Sequence, residues 1–258
     1  MKTLGLQLFT IRDYFKDDET IKESFKKMAE IGYGEAQTAG LFIEPENFAK
    51  YAKDAGVAIC GTHYGWEDII NKTDETMKIH EILGTTNIGI GGMPGFARET
   101  KEGLLQFIEQ ANEVAEKIAK HGFKFTYHNH SFEFKKFDGK TMMDYLIEGL
   151  DAKNTSFVLD TYWVQHGGAS VADMIERLSG RIDILHLKDM GACGGENKNI
   201  PYITEVGNGN IDFAKIVPLA EKTGVKSFVV EQDSNWVVSP FDSIKASYDH
   251  IKGLGLIK

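Results

Sequence analysis

Eight times along the chain a short, apolar, β-rich run is followed by a stretch whose apolar residues recur at helical spacing. Parallel strands cannot be joined by a tight turn and need a crossover of a dozen or more residues, normally a helix, so this alternation points to repeated βα units around a parallel sheet. The pattern places strands over 3–9, 34–38, 58–63, 87–91, 124–129, 156–160, 183–188 and 227–232. Helices fall over 19–30, 45–54, 74–82, 101–120, 141–150, 170–178, 211–223 and 239–252. Runs such as SFVLD, IDILHL and SFVV are almost unbroken in their hydrophobicity, as strands buried on both faces require.

Two details strengthen the reading. In the fourth helix Leu104, Phe107, Ile108, Ala111, Val114, Ala115 and Ile118 form one apolar stripe fit to pack on a sheet. Several helices run into a glycine just before the next strand (AEIGYG, AKDAGVA, AKHGFK, EKTGVK), where a left-handed residue closes the helix. An open doubly wound sheet shares the rhythm, but eight units favour closure, so the expected fold is a single (β/α)8 barrel of TIM type spanning 1–258. No linker or low-complexity tract divides it, and a 42% hydrophobic composition is enough for one large core.

Charge and composition exclude other classes. A formal net charge of −9, with no basic cluster, repels polyanions and argues against a nucleic-acid partner. No stretch approaches the roughly 20 apolar residues of a membrane span, and the apolar start is broken by Gln7 and followed by Arg12 and Asp13, unlike a signal peptide. A cytoplasmic protein is the expectation. Cys60 and Cys193 lack CxxC spacing and are expected to be inert thiols.

Polar residues at the C-terminal ends of barrel strands converge on one mouth. The candidates assigned to that position are Gln7, Glu35, His63, His128, His130, Asp160, His186, Lys188 and Glu231. Asp160 ends SFVLD, His186 sits in LHLKD and Glu231 in FVVEQD, each after a run that should be buried strand. One such group alone is equally well a satisfied ion pair; three in succession, with histidines on strand five, favour a metal site. Carboxylate and imidazole donors without thiolate suit one divalent ion, Mn, Mg, Co, Zn or Fe, and leave positions open for substrate oxygens. Lys188, two residues after His186, faces the same side and is placed either to bind an oxyanion or to pair with Asp160 or Glu231. His63 is a candidate acid or base, and Tyr64, Trp163 and Trp236 are aromatics able to stack on a sugar ring. The glycines of IGIGGMPGF lack phosphate-loop spacing, and VGNGNIDF reads as a loop with Asn210 as N-cap of the following helix. The stretch 191–199 reads as a βα loop at the mouth.

The whole chain resembles the xylose isomerase-like TIM-barrel superfamily, on the stretches LGLQLFTIRD, YHNHSFEF, LDTYW, HLKD, VGNGNIDF and VVEQD. The resemblance implies a metal held by strands five to eight as Glu, Asp, His and Glu. Asp160, His186 and Glu231 match the last three, whereas His128 stands at the Glu position, with His130 its competitor. Glu133 resembles the position of a substrate-contacting acid in epimerase relatives. The resemblance further implies a small-molecule carbohydrate substrate and a homo-oligomer. It implies a metal-dependent sugar or sugar-phosphate isomerase or epimerase working through an enediolate; by their positions and chemistry, Gln7, Glu35, Tyr64, Trp163 and Trp236 are expected toward the substrate, and His63, His130 and Lys188, with Glu133 from the resemblance, in the chemistry. A lyase or dehydratase on a keto-sugar, inosose or 3-keto-glycoside is the alternative, and a non-catalytic sugar-binding barrel the next.

Overall fold

The computed structural model describes residues 1, 3–192, 200–236 and 238–257. Eight parallel strands, β1 (Gly5–Gln7), β2 (Glu35–Ala39), β3 (Ala58–His63), β4 (Asn87–Ile90), β5 (Lys124–His128), β6 (Thr155–Asp160), β7 (Ile182–Leu187) and β8 (Ser227–Val230), pair in the order β3-β2-β1-β8-β7-β6-β5-β4. Neighbours in sequence are therefore neighbours in space all round the ring, with one seam between β3 and β4. The seam is drawn together by single bonds: Tyr64 N donates to Gly89 O at 2.7 Å, Asn87 Nδ2 to Cys60 O at 2.9 Å and Gly89 N to Thr62 Oγ1 at 3.4 Å. Gly89 must be a glycine there, since a Cβ would stand 2.3 Å from Thr62 O. Behind the seam, buried His80 lies 2.7 Å from Thr62 Oγ1 through Nε2 and 2.7 Å from Thr76 O through Nδ1. The carbonyl can only accept, so Nδ1 carries the proton and Nε2 accepts from the threonine hydroxyl.

Around the strands pack α1 (Asp18–Ile31), α2 (Pro45–Asp54), α3 (Thr73–Leu83), α4 (Lys101–Ala119), α5 (Met142–Gly149), α6 (Val171–Arg177), α7 (Phe213–Lys222) and α8 (Pro240–Gly253). The seven-residue stripe read on α4 is buried in full. Helix starts are fixed by side-chain caps: Asp17 and Thr141 form capping boxes, and Thr100, Ser170 and Ser239 each accept a hydrogen bond from an amide three residues on. Gly56 and Gly224, at φ 76° and 91°, supply the left-handed turn that ends α2 and α7. Asn210 is not a helix cap, because α7 begins at Phe213; the VGNGN loop is instead gathered by buried Asp189, whose carboxylate accepts from the amides of Gly207, Gly209 and Ile211.

Shorter elements crowd the mouth. β1 stops at Gln7, two residues before the expected end, because the Gln7 side chain accepts from Phe9 N and starts the 3-10 turn Leu8–Tyr14. Asp189–Gly191 pairs antiparallel with Tyr202–Thr204, so the flanks of the expected 191–199 loop are a ribbon, while Cys193 and the rest of 193–199 lie outside the described residues. Cys60 donates Sγ to Ala36 O at 3.3 Å in a buried setting that pushes its pKa up, an unreactive thiol. No helix among the described residues is long and apolar enough to cross a membrane.

Candidate metal centre

Strand alternation builds the centre in layers. Val158, Ile184 and Val229 make a small apolar cluster inside the barrel, separate from the main core between strands and helices. Two residues further along the same strands stand Asp160, His186 and Glu231, each on the same side as the apolar residue before it. Two residues further again are Lys188 and Asp233, and on β5 the step from His128 to His130 repeats the pattern.

His128, Asp160, His186 and Glu231, all buried, each offer one donor atom, and these four atoms lie within 4.8 Å of one another. His128 Nε2 is 3.4 Å from Asp160 Oδ2 and 4.0 Å from Glu231 Oε2; His186 Nδ1 is 3.6 Å and 2.9 Å from the same oxygens. The outer nitrogen of each ring decides what the inner one offers. His128 Nδ1 faces Gly91 O at 3.1 Å, and His186 Nε2 faces Gln37 Oε1, which also accepts from Gln7 Nε2 at 3.0 Å. Both outer partners can only accept, so both outer nitrogens carry a proton; the inner nitrogens, His128 Nε2 at 3.4 Å from Asp160 Oδ2 and His186 Nδ1 at 2.9 Å from Glu231 Oε2, then meet the carboxylates either through a second proton, as imidazolium donors, or as lone pairs through a bound cation. His186 Nδ1 makes no hydrogen bond even at 2.9 Å from Glu231. Two lone pairs aimed at two carboxylates repel unless a cation joins them, and the donor set fits a divalent metal whose histidines are oriented by carbonyl oxygens behind them. A proton is the other cation able to serve: burial works against the His186 imidazolium, but Glu231 and Asp160 lift its pKa to about 9.

Asp160 is shared between two tasks. Its Oδ1 accepts from Trp163 N at 3.0 Å and caps the short helix Thr161–His166, leaving Oδ2 for the centre, while Asn129 Oδ1 holds its own amide at 2.9 Å. Lys188 Nζ, fully buried, lies 3.5 Å from Asp160 Oδ2, 3.1 Å from Glu231 Oε2 and 2.7 Å from Asp233 Oδ2. Burial opposes its charge, but these three carboxylates raise its pKa, so it stays an ammonium. Burial depresses His63 well below its usual value, with His128 and His186 adding to the effect and Glu231 opposing it, and burial beside His128 brings His130 to about 3.

A cavity of about 440 Å³ opens over the centre, lined by Phe9, His63, Tyr64, His128, His130, Lys188, Glu231 and Asp233 among others. Asp160 and His186, fully buried, lie behind the lining residues His128 and Glu231. Gly91 and Gly92 close one side; a Cβ at Gly92 would stand 3.1 Å from the His130 ring. Trp163 backs this wall, 5.3 Å from the His130 ring and 5.2 Å from Lys188 Nζ.

The other sequence candidates fall at several places. Gln7, at the end of β1, is fully buried and bridges Gln37 and His63 Nδ1, at 3.2 Å, beneath the cavity. Glu133 is likewise buried; its oxygens accept from Tyr127 Oη at 2.6 Å and from His130 N at 2.8 Å, and burial pushes its pKa up to about 7 although the Tyr127 bond pulls the other way. Trp236 stands at the rim, 5.4 Å from the Arg12 guanidinium. Glu35 is misplaced by the sequence reading: it begins β2 rather than ending it, level with Gly5 and Ala58 at the opposite end of the barrel, beside Ser227.

Three participants were missed. Gln37 sits level with Gln7 on the adjacent strand, Asp233 repeats the two-residue step after Glu231, and Gly91 contributes only its carbonyl. The first two were detectable by continuing the two-residue alternation, from Glu35 to Gln37 inside the expected strand and from Glu231 to Asp233 at the end of FVVEQD; a backbone carbonyl leaves no sequence signal.

A family model described as xylose isomerase-like TIM barrel matches residues 25–254. The chain belongs to that family. Solved structures similar to this xylose isomerase-like barrel include a sugar phosphate isomerase/epimerase from Parabacteroides distasonis, at 22% identity and TM-score 0.82 over 100% of this chain and 96% of that one. Others are an L-ribulose 3-epimerase, at 16% identity and TM-score 0.73 over 99% and 95%, and a probable 3-DHS dehydratase from Bacillus anthracis, at 15% and 0.73 over 98% and 99%. At such identities these likenesses concern the fold. No curated protein matches the chain.

Proposed function

We propose that this chain is a metal-dependent enzyme that moves a proton next to the carbonyl of a sugar or sugar phosphate, as an isomerase or epimerase. The observation that carries the reading is the buried four-donor group of His128 Nε2, His186 Nδ1, Asp160 and Glu231, all within 4.8 Å of one another, with His128 and Glu231 lining a cavity large enough for a monosaccharide. His128, Asp160, His186 and Glu231 would hold the ion, which when bound supplies a Lewis acid for the substrate's carbonyl and neighbouring hydroxyl.

The chain's own residues divide the remaining work. Lys188, kept charged by its carboxylates, is an oxyanion donor and not a base. Asp233 gives Oδ2 to Lys188 and keeps a buried Oδ1 with no hydrogen-bond partner at the cavity wall, where it accepts the proton from carbon. Gln7 donates to His63 Nδ1, so the proton of His63 sits on Nε2, a buried donor without a partner that can bind or protonate a substrate oxygen. His130 keeps a buried, unpartnered Nδ1 beside it, and Glu133, with both oxygens engaged, holds the His130 backbone in place. The free His63 donor also supports the second reading: a hydroxyl on the adjacent carbon, hydrogen-bonded by it, departs as water with the proton Asp233 took from carbon, which converts the same intermediate to an elimination product.

The test is deuterium exchange at the carbon next to the carbonyl, followed by NMR in D₂O across ketoses, ketose phosphates, inososes and 3-keto-glycosides, with and without Mn²⁺ or Co²⁺. Metal-dependent incorporation is expected, and the product separates isomerase from lyase. Bound metal with no exchange on any of them would reduce the chain to a binding protein.

A further inference from the structure

We propose that His128 makes the centre selective for divalent ions late in the first transition row, Zn²⁺ and Co²⁺ ahead of Mn²⁺, and turns it away from Mg²⁺. The inference rests on the metal reading above and concerns which ion the site takes. His128 is committed to the centre by its surroundings: its ring is 3% exposed, its Nδ1 proton goes to Gly91 O, and its Nε2 faces both carboxylates. His130 is not its equivalent. Its ring stands edge-on, 4.8 Å from that of His128, stacks on Phe132, and contributes no atom to the four-donor group.

Three physical arguments follow from an imidazole at this position. Neutral nitrogen donors gain most with Zn²⁺, Co²⁺ and neighbouring ions, whereas Mg²⁺ prefers oxygen and keeps much of its water. The donors also arrive as single atoms: Asp160 spends Oδ1 on the Trp163 amide, so it cannot chelate with both oxygens, and the four nitrogen–oxygen separations run from 2.9 to 4.0 Å within a group no wider than 4.8 Å. That range brackets the edge of about 3.3–3.5 Å expected of a compact tetrahedron with bonds near 2.0–2.1 Å. Finally, charge balances. Asp160 and Glu231 together would cancel a divalent ion, and Asp233 cancels Lys188, whose ammonium lies 2.7 Å from it and 3.1 Å from Glu231, so the filled centre and this pair are neutral together. A glutamate at 128, as the strand-five pattern of the resembled superfamily has it, would leave the centre one unit negative, blunting its pull on a substrate oxygen.

The experiment uses the full chain, stripped of metal by chelation and titrated separately with Zn²⁺, Co²⁺, Mn²⁺ and Mg²⁺ against a chromophoric competitor, with the visible absorption of bound Co²⁺ recorded in parallel. Co²⁺ is expected to bind at least about 100-fold tighter than Mg²⁺ and to show the intense bands of a low-coordinate ion. Any mixed-donor site favours late metals to some degree, so the variant is the sharper measurement. His128→Glu should compress the Co²⁺/Mg²⁺ ratio at least about tenfold, and His130→Gln should leave it unchanged. If His128→Glu fails to fold by circular dichroism, His128→Gln makes the same exchange of nitrogen for oxygen without added charge. A wild-type ratio below about tenfold, or a ratio that neither His128 variant moves, overturns the proposal. If the wild type takes up none of the four ions, the metal-dependent reading falls with it, whereas a flat order among ions that do bind overturns the selectivity alone.

Discussion

At the N-terminal end of the barrel, the buried carboxylate of Asp183 is met by two ammonium groups, Lys124 at 3.4 Å and Lys226 at 3.0 Å, which reach in from more open positions. At the C-terminal end the proportion is reversed: Asp160, Glu231 and Asp233 share the ammonium of Lys188, and the neighbouring imidazoles bring positive charge only by taking up a second proton. The first arrangement lowers the energy of the folded chain by itself. The second is short of positive charge until a cation arrives, which is how a site differs from a scaffold built on the same strands.

The comparison breaks most visibly at the mouth. Glu231→Gln should lower metal-dependent deuterium exchange on the order of 10³-fold, equivalent to roughly 4 kcal/mol, and lower the melting temperature of the metal-free protein as well, because Lys188 and His186, which hold the Glu231 carboxyl well below its usual range despite its burial, lose a buried partner. Exchange that survives in the folded fraction would make Glu231 a structural residue. Next in size is a pH effect at the seam. Burial holds the His80 pKa down to about 4, below its unfolded value of 6.5, so as pH falls the unfolded chain takes up this proton first. The neutral side chain's contribution is complete above pH 6.5 and is lost as pH drops toward 4, about 3 kcal/mol in all. Urea denaturation across that window should show this extra loss in the wild type and not in His80→Gln. The smallest effect belongs to the opposite end of the barrel: Asp183→Asn should cost about 1–2 kcal/mol, from two lysines left without their partner, with metal affinity and exchange unchanged. If it altered exchange, the two ends would not be independent.

Where the sequence was readable follows from which signals are local. The range 45–54 and the range 58–63 coincide with α2 and β3 because proline, glycine and apolar spacing all lie within the segment. The short helices Trp66–Asn71 and Thr161–His166 went unread, since six residues are too few for a periodicity, and the second is stabilised by the side chain of Asp160, already assigned to the site. Convergence of Asp160, His186 and Glu231 was legible because three consecutive strands end alike, and His128 because its strand is regular to the end. Glu35 misled because a polar residue flanking a short strand marks either end equally well, and only the register with Gly5 and Ala58 shows which. Gln37 and Gly91, which set the tautomers of both histidines, act through contacts between distant parts of the chain.

The β3–β4 seam gives the ring a preferred place to open. Elsewhere adjacent strands are laced by regular ladders, but here a threonine hydroxyl, an asparagine amide and one backbone bond do the lacing, with His80 as the pin behind them. Parting it would turn a closed ring into an open eight-stranded ribbon with the other seven junctions intact. His63, at the end of β3, and Gly91, just past β4, stand on the two sides of that seam, while Asp160, His186 and Glu231 lie on or just past strands joined by regular ladders.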